Sequence, residues 1–370
     1  MSFYKFNKIL QHKDLNQLKN GYRKLIHVRI EPTEVCNFQC KFCVTQDPIR
    51  LDIIKKQGYD GGKRKFDLNR ILGLLDELKE IGVTAISFVA VGDPLMYPNI
   101  DQVLKKAIKL NFALGLTSNF AMEIKDELFE TLAKFKWLRW SMNGGSEEVY
   151  IKTNAPKIKN QDYAYKNVQK NIQRIIEKKK LLKSDVLVNA SYVVSEWNFN
   201  DLENAAILGK KLEIDNLFFR PDMKPMDERL NQPLDILKIN NNLLKKAQSY
   251  ETDSFKVHIE EERENDVLKV KNEKLVCFYS NHSIYIAANG DVYPCCYTRI
   301  NKKFVIGNIN NLNFKDFWKK QENVNHYKTL SINTCPSCPY NNINEDLEKI
   351  YNGISFPKEN ITDKTIDPFV

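Results

Sequence analysis

The sequence predicts an α/β protein with a parallel sheet covered by helices, followed by a smaller cysteine-rich region. Apolar strand patterns and amphipathic helix patterns alternate about six times between His27 and Arg220, which is typical of parallel sheets. Both a doubly wound sheet and a barrel fit this alternation. All 8 cysteines fall in two groups, one near each end of the chain. In a reducing compartment they are more typical of metal ligands than of disulfides.

The predicted elements follow one another in a regular order. The connection 47–66 is expected to be flexible and exposed, because it is rich in glycine and charge. Asp67 is a candidate N-cap, and Gly82 ends the helix that follows it. The predicted strands cover 27–31, 83–91, 112–117, 137–142, 186–194 and 217–220. The predicted helices cover 68–81, 99–110, 123–135, 162–183 and 200–212.

Composition limits the classes of partner. The formal net charge is +9, but the lysines are spread along the helices and form no basic stripe with interleaved aromatic residues. Nucleic acid is therefore not an expected partner, whereas an anionic protein or metabolite fits the charge. No apolar run is long enough to span a bilayer and no signal peptide is evident, so we expect no membrane association and a cytoplasmic location.

The first cysteine group lies directly after the first predicted strand. Cys36, Cys40 and Cys43 place three thiols within eight residues, so one loop can direct them at a single centre. A [4Fe–4S] cluster has four irons with thiolates as the usual ligands, and three cysteines would leave one iron open. Two alternatives remain: Cys40 and Cys43 alone could form a thiol redox pair, or a distant fourth cysteine could complete a structural zinc site.

Polar residues recur after the predicted strands. Ligands of parallel α/β proteins bind outside the carboxyl ends of the strands, so these residues are expected to share one site. Single Gly, Asp, Asn or Ser residues are ordinary in turns, but the recurrence at successive strands is more informative. The residues are Gly92, Asp93, Pro94, Ser118, Asn119, Ser141, Asn143, Asn189, Ser191 and Arg220.

The spacing of Cys36, Cys40, Phe42 and Cys43 resembles the C-x-x-x-C-x-aromatic-C signature of the radical S-adenosylmethionine (radical SAM) superfamily. The resemblance covers about residues 25–225 and implies a partial (β/α)6 TIM-like barrel, in agreement with the strand–helix count. It further implies that the three cysteines hold a [4Fe–4S] cluster whose fourth iron is chelated by S-adenosylmethionine. Reductive cleavage then gives a 5′-deoxyadenosyl radical that removes hydrogen from a substrate.

The resemblance also implies contacts with SAM. The stretch from Val91 to Leu95 is similar to the family's Gly-Gly-Glu-Pro stretch, with Val for the first Gly and Asp for Glu. Because Asp is shorter than Glu, the Asp93 carboxylate would have to reach further to contact the SAM amino group. Phe42 is expected by the adenine, although simple packing would also explain it. The remaining residues expected near SAM are Pro94, Ser118, Asn119, Ser141, Asn143 and Ser191.

The second cysteine group surrounds a predicted hairpin. Strands 283–286 and 291–293 flank Asn289-Gly290, where a type I′ turn would bring Cys277 and Cys295 together. Cys335 and Cys338 supply two further thiols, and four thiolates could also hold structural zinc. The pattern resembles a SPASM/twitch extension, which implies one auxiliary iron–sulfur cluster on these four cysteines, suited by its closed coordination to electron transfer rather than SAM cleavage. Cys296 is surplus: it could be buried, replace Cys295, or donate hydrogen as a thiol.

The predicted domains follow from these assignments. They are an N-terminal arm (1–25), a radical SAM core (26–225), a helical linker (226–270), a SPASM/twitch-like region (271–345) and a C-terminal tail (346–370). The short arm leaves no room for a leader-binding domain, which favours a small polar substrate over a peptide. Arg220 is the candidate catalytic residue, or a clamp for phosphate or carboxylate. A flavodoxin- or ferredoxin-like protein is the expected electron donor. A non-catalytic metal-binding scaffold is the alternative from another class.

Overall fold

The strands form one sheet along which the chain is organised. The structure, a computed structural model, describes residues 24–56, 58–157, 161–222, 241–260, 277–299, 301–320 and 340–352. The strands are β1 (His27–Ile30), β2 (Ala85–Phe88), β3 (Ala113–Ser118), β4 (Trp137–Ser141), β5 (Leu187–Val194), β6 (Asn216–Pro221), β7 (Lys256–Ile259), β8 (Ser283–Ile286), β9 (Asp291–Tyr293) and β10 (Gly307–Asn308). Their order in the sheet is β10-β9-β8-β1-β2-β3-β4-β5-β6-β7.

Eight α-helices lie between β1 and β7 among the described residues, and two more follow β10. They are α1 (Pro48–Lys56), α2 (Leu68–Glu80), α3 (Ile100–Lys109), α4 (Asp126–Leu132), α5 (Glu147–Asn154), α6 (Gln161–Leu181), α7 (Leu202–Lys211), α8 (Asn241–Gln248), α9 (Phe314–Lys319) and α10 (Asn341–Tyr351). In α2 the carboxylate of Asp67 accepts from the Arg70 amide at 2.8 Å, so the predicted N-cap is confirmed. Gly82, with φ +86°, follows the end of this helix.

The strands β1 to β7 are all parallel, and alternate side chains divide between two faces. Residues such as Val28, Ile30 and Ile86 pack with the helices in one large apolar core. The residues between them, including His27 and Ser87, lie on the opposite face, where the His27 Nε2 and Ser87 Oγ are 2.7 Å apart. The α/β prediction with a mostly parallel sheet is therefore confirmed, and one face of the sheet is available for polar chemistry.

Strand β7 adds a seventh parallel strand that the sequence did not predict. It pairs with β6 through Asn216 and Lys256 and the residues that follow them. It lies within 226–270, which was predicted as a helical linker; of that stretch the structure describes 241–260, which holds α8 and β7. The core sheet thus extends beyond the six predicted units.

The predicted hairpin is present and joins the same sheet. Strand β8 pairs in parallel with β1, and β9 pairs antiparallel with β8. Only Gly290 has a positive φ in this turn, so the expected type I′ geometry, which needs two such residues, is wrong. Gly290 has φ +79°, a conformation that other residues rarely adopt, and a Cβ would lie 2.2 Å from Asn310 Oδ1, so glycine is strongly favoured here.

In the core region, two α-helices lie where no helix was predicted. The connection 47–66, expected to be flexible, contains α1, in which Arg50 and Ile54 are buried. Helix α5 follows β4 and ends at Asn154, and its C-cap Ala155 has φ +42°. Both helices are short and contact the cysteine loop or its neighbours.

Among the described residues, no helix is long and apolar enough to cross a membrane.

Candidate cofactor site

The first cysteine group occupies a loop at the carboxyl end of β1. Cys36, Cys40 and Cys43 are all free thiols of intermediate exposure. The amide of Phe38 donates to Cys36 Sγ at 3.4 Å, and the amide of Cys43 donates to the Cys40 carbonyl at 3.0 Å. These two hydrogen bonds help to hold residues 36–43, which carry the three cysteines, in one compact loop.

Two of these thiols are hard to ionise in this environment. Burial, followed by the charge of Asp93, raises the pKa of Cys36 to about 12. Burial and the nearby thiols of Cys43 and Cys36 raise the pKa of Cys40 well above its usual value. In the part of the chain that the structure describes, no three His, Cys, Asp or Glu side chains are already gathered as a metal site. The donor set of three clustered thiols nevertheless fits an iron–sulfur cluster, whose cationic irons would favour the thiolates.

The turn after β2 packs closely against the start of the cysteine loop. A Cβ on Gly92 would lie 2.3 Å from the Val35 carbonyl oxygen and 2.4 Å from the Glu34 carbonyl carbon. The amide of Asp93 donates to the Val35 carbonyl at 2.8 Å. Glycine at position 92 is therefore what allows the two loops to approach, immediately before the first cysteine.

The Asp93 carboxylate is fully engaged within the protein. It accepts from Ser118 Oγ at 2.9 and 3.0 Å, from the Asn119 amide at 2.7 Å and from the Leu95 amide at 3.0 Å. Pro94 begins a buried 3₁₀ turn that Asp93 caps. The Asn119 side chain in turn donates to Asn37 Oδ1 at 2.8 Å, inside the cysteine loop. These predicted residues thus meet at one place, with Asp93 linking the loops after β2 and β3.

A network of asparagines joins the cysteine loop to β4 and β5. Cys40 Sγ donates to Asn154 Oδ1 at 3.6 Å, and Asn143 Nδ2 donates to the same oxygen at 3.2 Å. Asn154 Nδ2 donates to the Met142 carbonyl at 2.9 Å, and Asn143 Oδ1 accepts from the Val193 amide at 2.9 Å. Asn143 has φ +52°, a left-handed conformation that asparagine tolerates. Its role here is to fix the loop after β4.

Ser141 and Ser191 are direct partners in the pairing of β4 with β5. They alternate with core residues such as Trp140 and Ala190, so they lie on the face away from the helices. Phe42 is half-buried, and its carbonyl accepts from Arg50 Nη1 at 2.5 Å. The structure therefore brings all the residues expected near SAM to the carboxyl edge of β1 to β5.

Arg220 is engaged in an ion pair. Its Nη2 lies 2.8 Å from Glu260 Oε1, and both side chains are largely buried. Its guanidinium also lies over the Phe218 ring, 5.7 Å from the centroid. Phe218 stacks on His258 with ring centroids 4.6 Å apart, and burial lowers the pKa of His258. Arg220 thus belongs to a polar and aromatic face on β6 and β7 instead of standing as an isolated cation.

Glu31, which was not among the predicted site residues, lies between the two cysteine groups. Its Oε2 accepts from the Tyr285 hydroxyl and from the Val91 amide at 3.4 Å. Its Oε1 is buried and has no hydrogen-bond partner among the described residues. Burial, with a smaller contribution from Glu34, raises the pKa of Glu31 to about 7, although Tyr285 and Arg299 act in the opposite direction.

Arg299, which lies three residues after Cys296, forms a cluster with Glu31 and Tyr285. Its guanidinium lies 5.6 Å from the centroid of the Tyr285 ring and donates to the Cys296 carbonyl at 3.2 Å. Burial opposes its charge, but Tyr285, Cys296, Glu31 and Cys43 together raise its pKa. The cluster is therefore in electrostatic contact with one cysteine of each group.

The second cysteine group is described in part. Cys277 and Cys295 pack in one cluster around Tyr279 and Leu347. Burial raises the pKa of Cys277, and the Tyr297 amide donates to Cys295 Sγ at 3.4 Å. Cys335 and Cys338 lie outside the described residues, so the expected four-cysteine set stays a prediction.

Cys296 occupies a distinct environment from its neighbour. Its Sγ lies 3.7 Å from the Tyr340 hydroxyl oxygen. A hydrogen bond from Cys295 lowers its pKa well below the usual value, and the positive charges of Arg29 and Arg299 add to this effect. Arg29 itself donates to Ser283 Oγ at 2.5 Å and to the Tyr279 hydroxyl at 3.1 Å. Cys296 therefore lies near two cationic side chains, Arg29 on β1 and Arg299.

The residues that sequence reasoning missed have different kinds of signal. Glu31 directly follows the first strand, so the strand-end rule that selected Asp93 would also have found it. Arg50, Asn154 and Arg299 depend on tertiary contacts and carry no local pattern. Their roles become visible only in the folded chain.

The fold and the thiol loop define a class: an α/β protein with a parallel sheet and an iron–sulfur type of cysteine loop at its carboxyl edge. Family models agree with this class. The model of the radical SAM superfamily matches residues 30–206, and that of the SPASM iron–sulfur cluster-binding domain matches residues 277–339. The chain therefore belongs to the radical SAM superfamily and carries a C-terminal SPASM domain. The predicted cofactor classes, SAM with a [4Fe–4S] cluster and auxiliary iron–sulfur binding, are confirmed at the level of the family.

Two curated relatives are similar to parts of the chain. An S-adenosylmethionine-dependent nucleotide dehydratase from Flammeovirga pacifica is 28% identical over 130 residues, which is 35% of this chain and 42% of that protein. A tungsten-containing aldehyde ferredoxin oxidoreductase cofactor-modifying protein from Pyrococcus furiosus is 20% identical over 309 residues, 80% of this chain and 78% of that protein. The chain thus spans less than half the length of the first relative.

Solved structures share the fold. SuiB from Streptococcus suis, bound to the precursor peptide SuiA, superposes with a TM-score of 0.60 at 16% identity, covering 85% of this chain and 69% of SuiB. The protein anSMEcpe with bound AdoMet superposes with a TM-score of 0.58 at 18% identity, covering 83% of this chain and 84% of anSMEcpe. At this identity the likeness concerns the fold alone.

Proposed function

We propose that this protein is a radical SAM enzyme that acts on a small polar substrate, with one auxiliary iron–sulfur cluster for electron transfer. The observation that carries the proposal is the contact between Gly92 and the backbone before Cys36, which no residue with a Cβ could make. It joins the three-thiol loop to the loop that resembles the family's SAM-binding stretch.

In this proposal Cys36, Cys40 and Cys43 would hold the [4Fe–4S] cluster, which together with SAM would supply the radical chemistry for hydrogen abstraction from the substrate. Asp93, Ser118 and Asn119 have their hydrogen bonds to one another, so they shape the SAM site. The SAM amino group would then be contacted by the backbone near Gly92, because the Asp93 carboxylate already has protein partners. Asn143 donates to Asn154, and this bond fixes the loop after β4 beside Cys40.

The polar face of the sheet supports a small polar substrate. Asn216 Nδ2 donates to Asn189 Oδ1 at 2.8 Å, and Asn216 Oδ1 lies 2.9 Å from His258 Nε2. The Arg220–Glu260 pair continues the same face toward the carboxyl ends of the strands. Because these side chains give the face a polar lining, it suits a substrate with hydroxyl or amide groups better than an apolar one. Arg220 would orient the substrate together with Glu260.

A peptide or protein substrate is the second candidate. SuiB, which shares the fold, has a solved structure with a precursor peptide bound. A peptide and a small polar molecule are distinguished by which one restores coupled hydrogen abstraction, measured as transfer of substrate deuterium into 5′-deoxyadenosine. The proposed electron donor is an acidic flavodoxin- or ferredoxin-like protein, which complements the net charge of +9.

Anaerobic reconstitution tests the proposal. The full chain is loaded with iron and sulfide, reduced with dithionite, and assayed for 5′-deoxyadenosine by mass spectrometry. We expect about eight irons per chain, because two four-iron clusters need that number, together with SAM cleavage. About four irons with bound zinc would exclude the auxiliary cluster. A fully loaded, reduced protein that leaves SAM intact would support the non-catalytic scaffold.

A further inference from the structure

Arg50 on α1 contacts both the cysteine loop and a distant strand. It is 7% exposed, and its Nη1 donates to the Phe42 carbonyl at 2.5 Å. The same guanidinium donates to both carboxylate oxygens of Asp222, at 2.9 Å and 2.5 Å. This is the bidentate geometry in which arginine and carboxylate interact most strongly. One buried cation therefore fixes the carbonyl of the residue immediately before Cys43.

Asp222 directly follows β6, 172 residues beyond Arg50 in the sequence. Strand β6 is separated from β1 in the sheet by β2 to β5. The pair therefore reaches across the carboxyl edge of the sheet, from the loop after the first strand to the end of the sixth. The side chains are only 9% and 12% exposed, so water screens the interaction weakly.

Among the described residues, the Asp222 carboxylate pairs with Arg50. Asp222 and, with smaller effect, Asp47 raise the pKa of Arg50 against the effect of burial, so the guanidinium remains charged. Asp47 Oδ1 also accepts from the Arg50 amide at 3.0 Å, which fixes the start of α1. Removal of the Asp222 carboxylate would leave a buried cation whose remaining side-chain hydrogen bond, within the described part of the chain, is to the Phe42 carbonyl. The position of that carbonyl, and of the cysteine loop, would then be less constrained.

We propose that Arg50 and Asp222 form a clamp that positions Phe42 and the cysteine loop for SAM binding. Both are positioning residues, since they act through the loop. The inference rests on the proposed function, because it assumes that SAM binds beside this loop. A purely structural ion pair is the alternative.

The other end of β6 offers a matched control. Lys179 Nζ lies 2.6 Å from Asp215 Oδ1, and the two side chains are 21% and 23% exposed. Asp215 precedes β6 and accepts from the Val188 amide at 2.6 Å, at the amino ends of the strands. Loss of this pair should reduce stability without changing the SAM site.

The test uses the reconstituted full chain with Asp222→Asn, Arg50→Lys and Lys179→Ala. The two clamp substitutions keep side-chain size or charge, and melting temperatures show whether all three variants fold. Three properties are measured: iron content, SAM affinity by equilibrium dialysis, and the change that SAM causes in the electron paramagnetic resonance spectrum of the reduced protein. For Asp222→Asn and Arg50→Lys we expect unchanged iron, SAM affinity reduced at least about tenfold, as for other residues that orient metal ligands, and a smaller spectral change.

Two results would overturn the clamp. One is wild-type SAM affinity and spectral change in both clamp variants. The other is an equal loss of SAM binding in Lys179→Ala at the same melting temperature, which would make the effect one of general stability. If the wild-type chain itself neither binds nor cleaves SAM, the proposed function fails. That outcome is distinct from wild-type activity with unaffected variants, in which only the clamp fails.

Discussion

Tyr285 donates a hydrogen bond to Glu31, and this bond joins the hairpin of the SPASM domain to the carboxyl end of β1. The strands β8 and β1, at which the two residues lie, are themselves paired in parallel. Arg299 lies over the Tyr285 ring. Its charge interacts with Cys43 of the first cysteine group and with Cys296 of the second. The two cysteine groups are therefore connected through one sheet and one buried cluster of charged side chains.

This relationship predicts how stability depends on pH. The pKa of Glu31 is raised to about 7 in the folded chain, from 4.5 in the unfolded chain. Between these values the folded state binds more protons, so the free energy of unfolding should fall as pH rises through this range. Glu31→Gln cannot titrate. The free energy of unfolding of Glu31→Gln minus that of wild type should therefore be larger at pH 8 than at pH 5. The increase is at most about 3 kcal/mol, at 1.36 kcal/mol per unit of pKa.

Urea midpoints of the two proteins at pH 5 and pH 8 measure this difference. Glu130→Gln is the control, because Glu130 is exposed, pairs with Lys178 and has a lowered pKa. It should show no gain in relative stability at pH 8. Parallel pH profiles for wild type and Glu31→Gln would mean that Glu31 titrates as an ordinary carboxylate.

Gly92→Ala should disrupt SAM binding. The added Cβ would meet the backbone of Glu34 and Val35 at 2.3–2.4 Å, and backbone cannot move aside as a flexible side chain can. The loop before Cys36 must therefore shift, and a displacement of about 1 Å can lower a rate about 10²-fold. We expect reduced SAM affinity and reduced 5′-deoxyadenosine formation, both measured after dithionite reduction.

Gly73→Ala is the matched control for this substitution. Gly73 lies in α2, where the nearest atom to an added Cβ is Arg70 Nη1 at 3.7 Å. Alanine should stabilise the helix by up to about 1 kcal/mol and leave SAM cleavage unchanged. Equal SAM affinity in Gly92→Ala and Gly73→Ala would show that the close approach at Gly92 has no functional role.

The difference between the predicted and the observed elements has a physical explanation. The strands β1 to β6 were predictable because buried parallel strands are short apolar runs between amphipathic helices. Strand β7 was not, because it is only four residues long, includes the polar Lys256 and His258, and is followed directly by three glutamates, 260–262. Helix α1 was also missed, since glycine and charge dominate the surrounding connection.

The residues of the candidate site likewise include some that the sequence predicts and some that it does not. Asp93, Ser118 and Asn119 were predictable as strand-end polar residues, but their mutual hydrogen bonds were not. The Arg50–Asp222 pair joins residues 172 positions apart, so no local pattern could indicate it. Side-chain networks depend on how the loops pack together, and this information is absent from spacing alone.

Asn154→Ala should weaken the cysteine loop. Its carboxamide contacts Cys40, Asn143 and the Met142 carbonyl, so alanine leaves buried polar groups without partners. Each such group costs about 1–3 kcal/mol, and we expect a lower melting temperature together with slower SAM cleavage. Asn204→Ala, which removes a 2.7 Å bond to Asp201 away from the cysteine loop, is the control. A wild-type rate of SAM cleavage in Asn154→Ala would show that the network serves stability alone.

The two cysteine groups should have separable roles. In Cys335→Ala, iron should fall from about eight to about four per chain, because one four-iron cluster loses a ligand. Uncoupled SAM cleavage should persist, since Cys36, Cys40 and Cys43 are intact, whereas substrate turnover should be lost. Cys296→Ala should keep the full iron content if Cys296 is surplus. Metal analysis, together with assays for 5′-deoxyadenosine, measures these outcomes. Loss of all SAM cleavage in a folded Cys335→Ala protein would contradict the division, because the SPASM cysteines would then be required for the chemistry at β1.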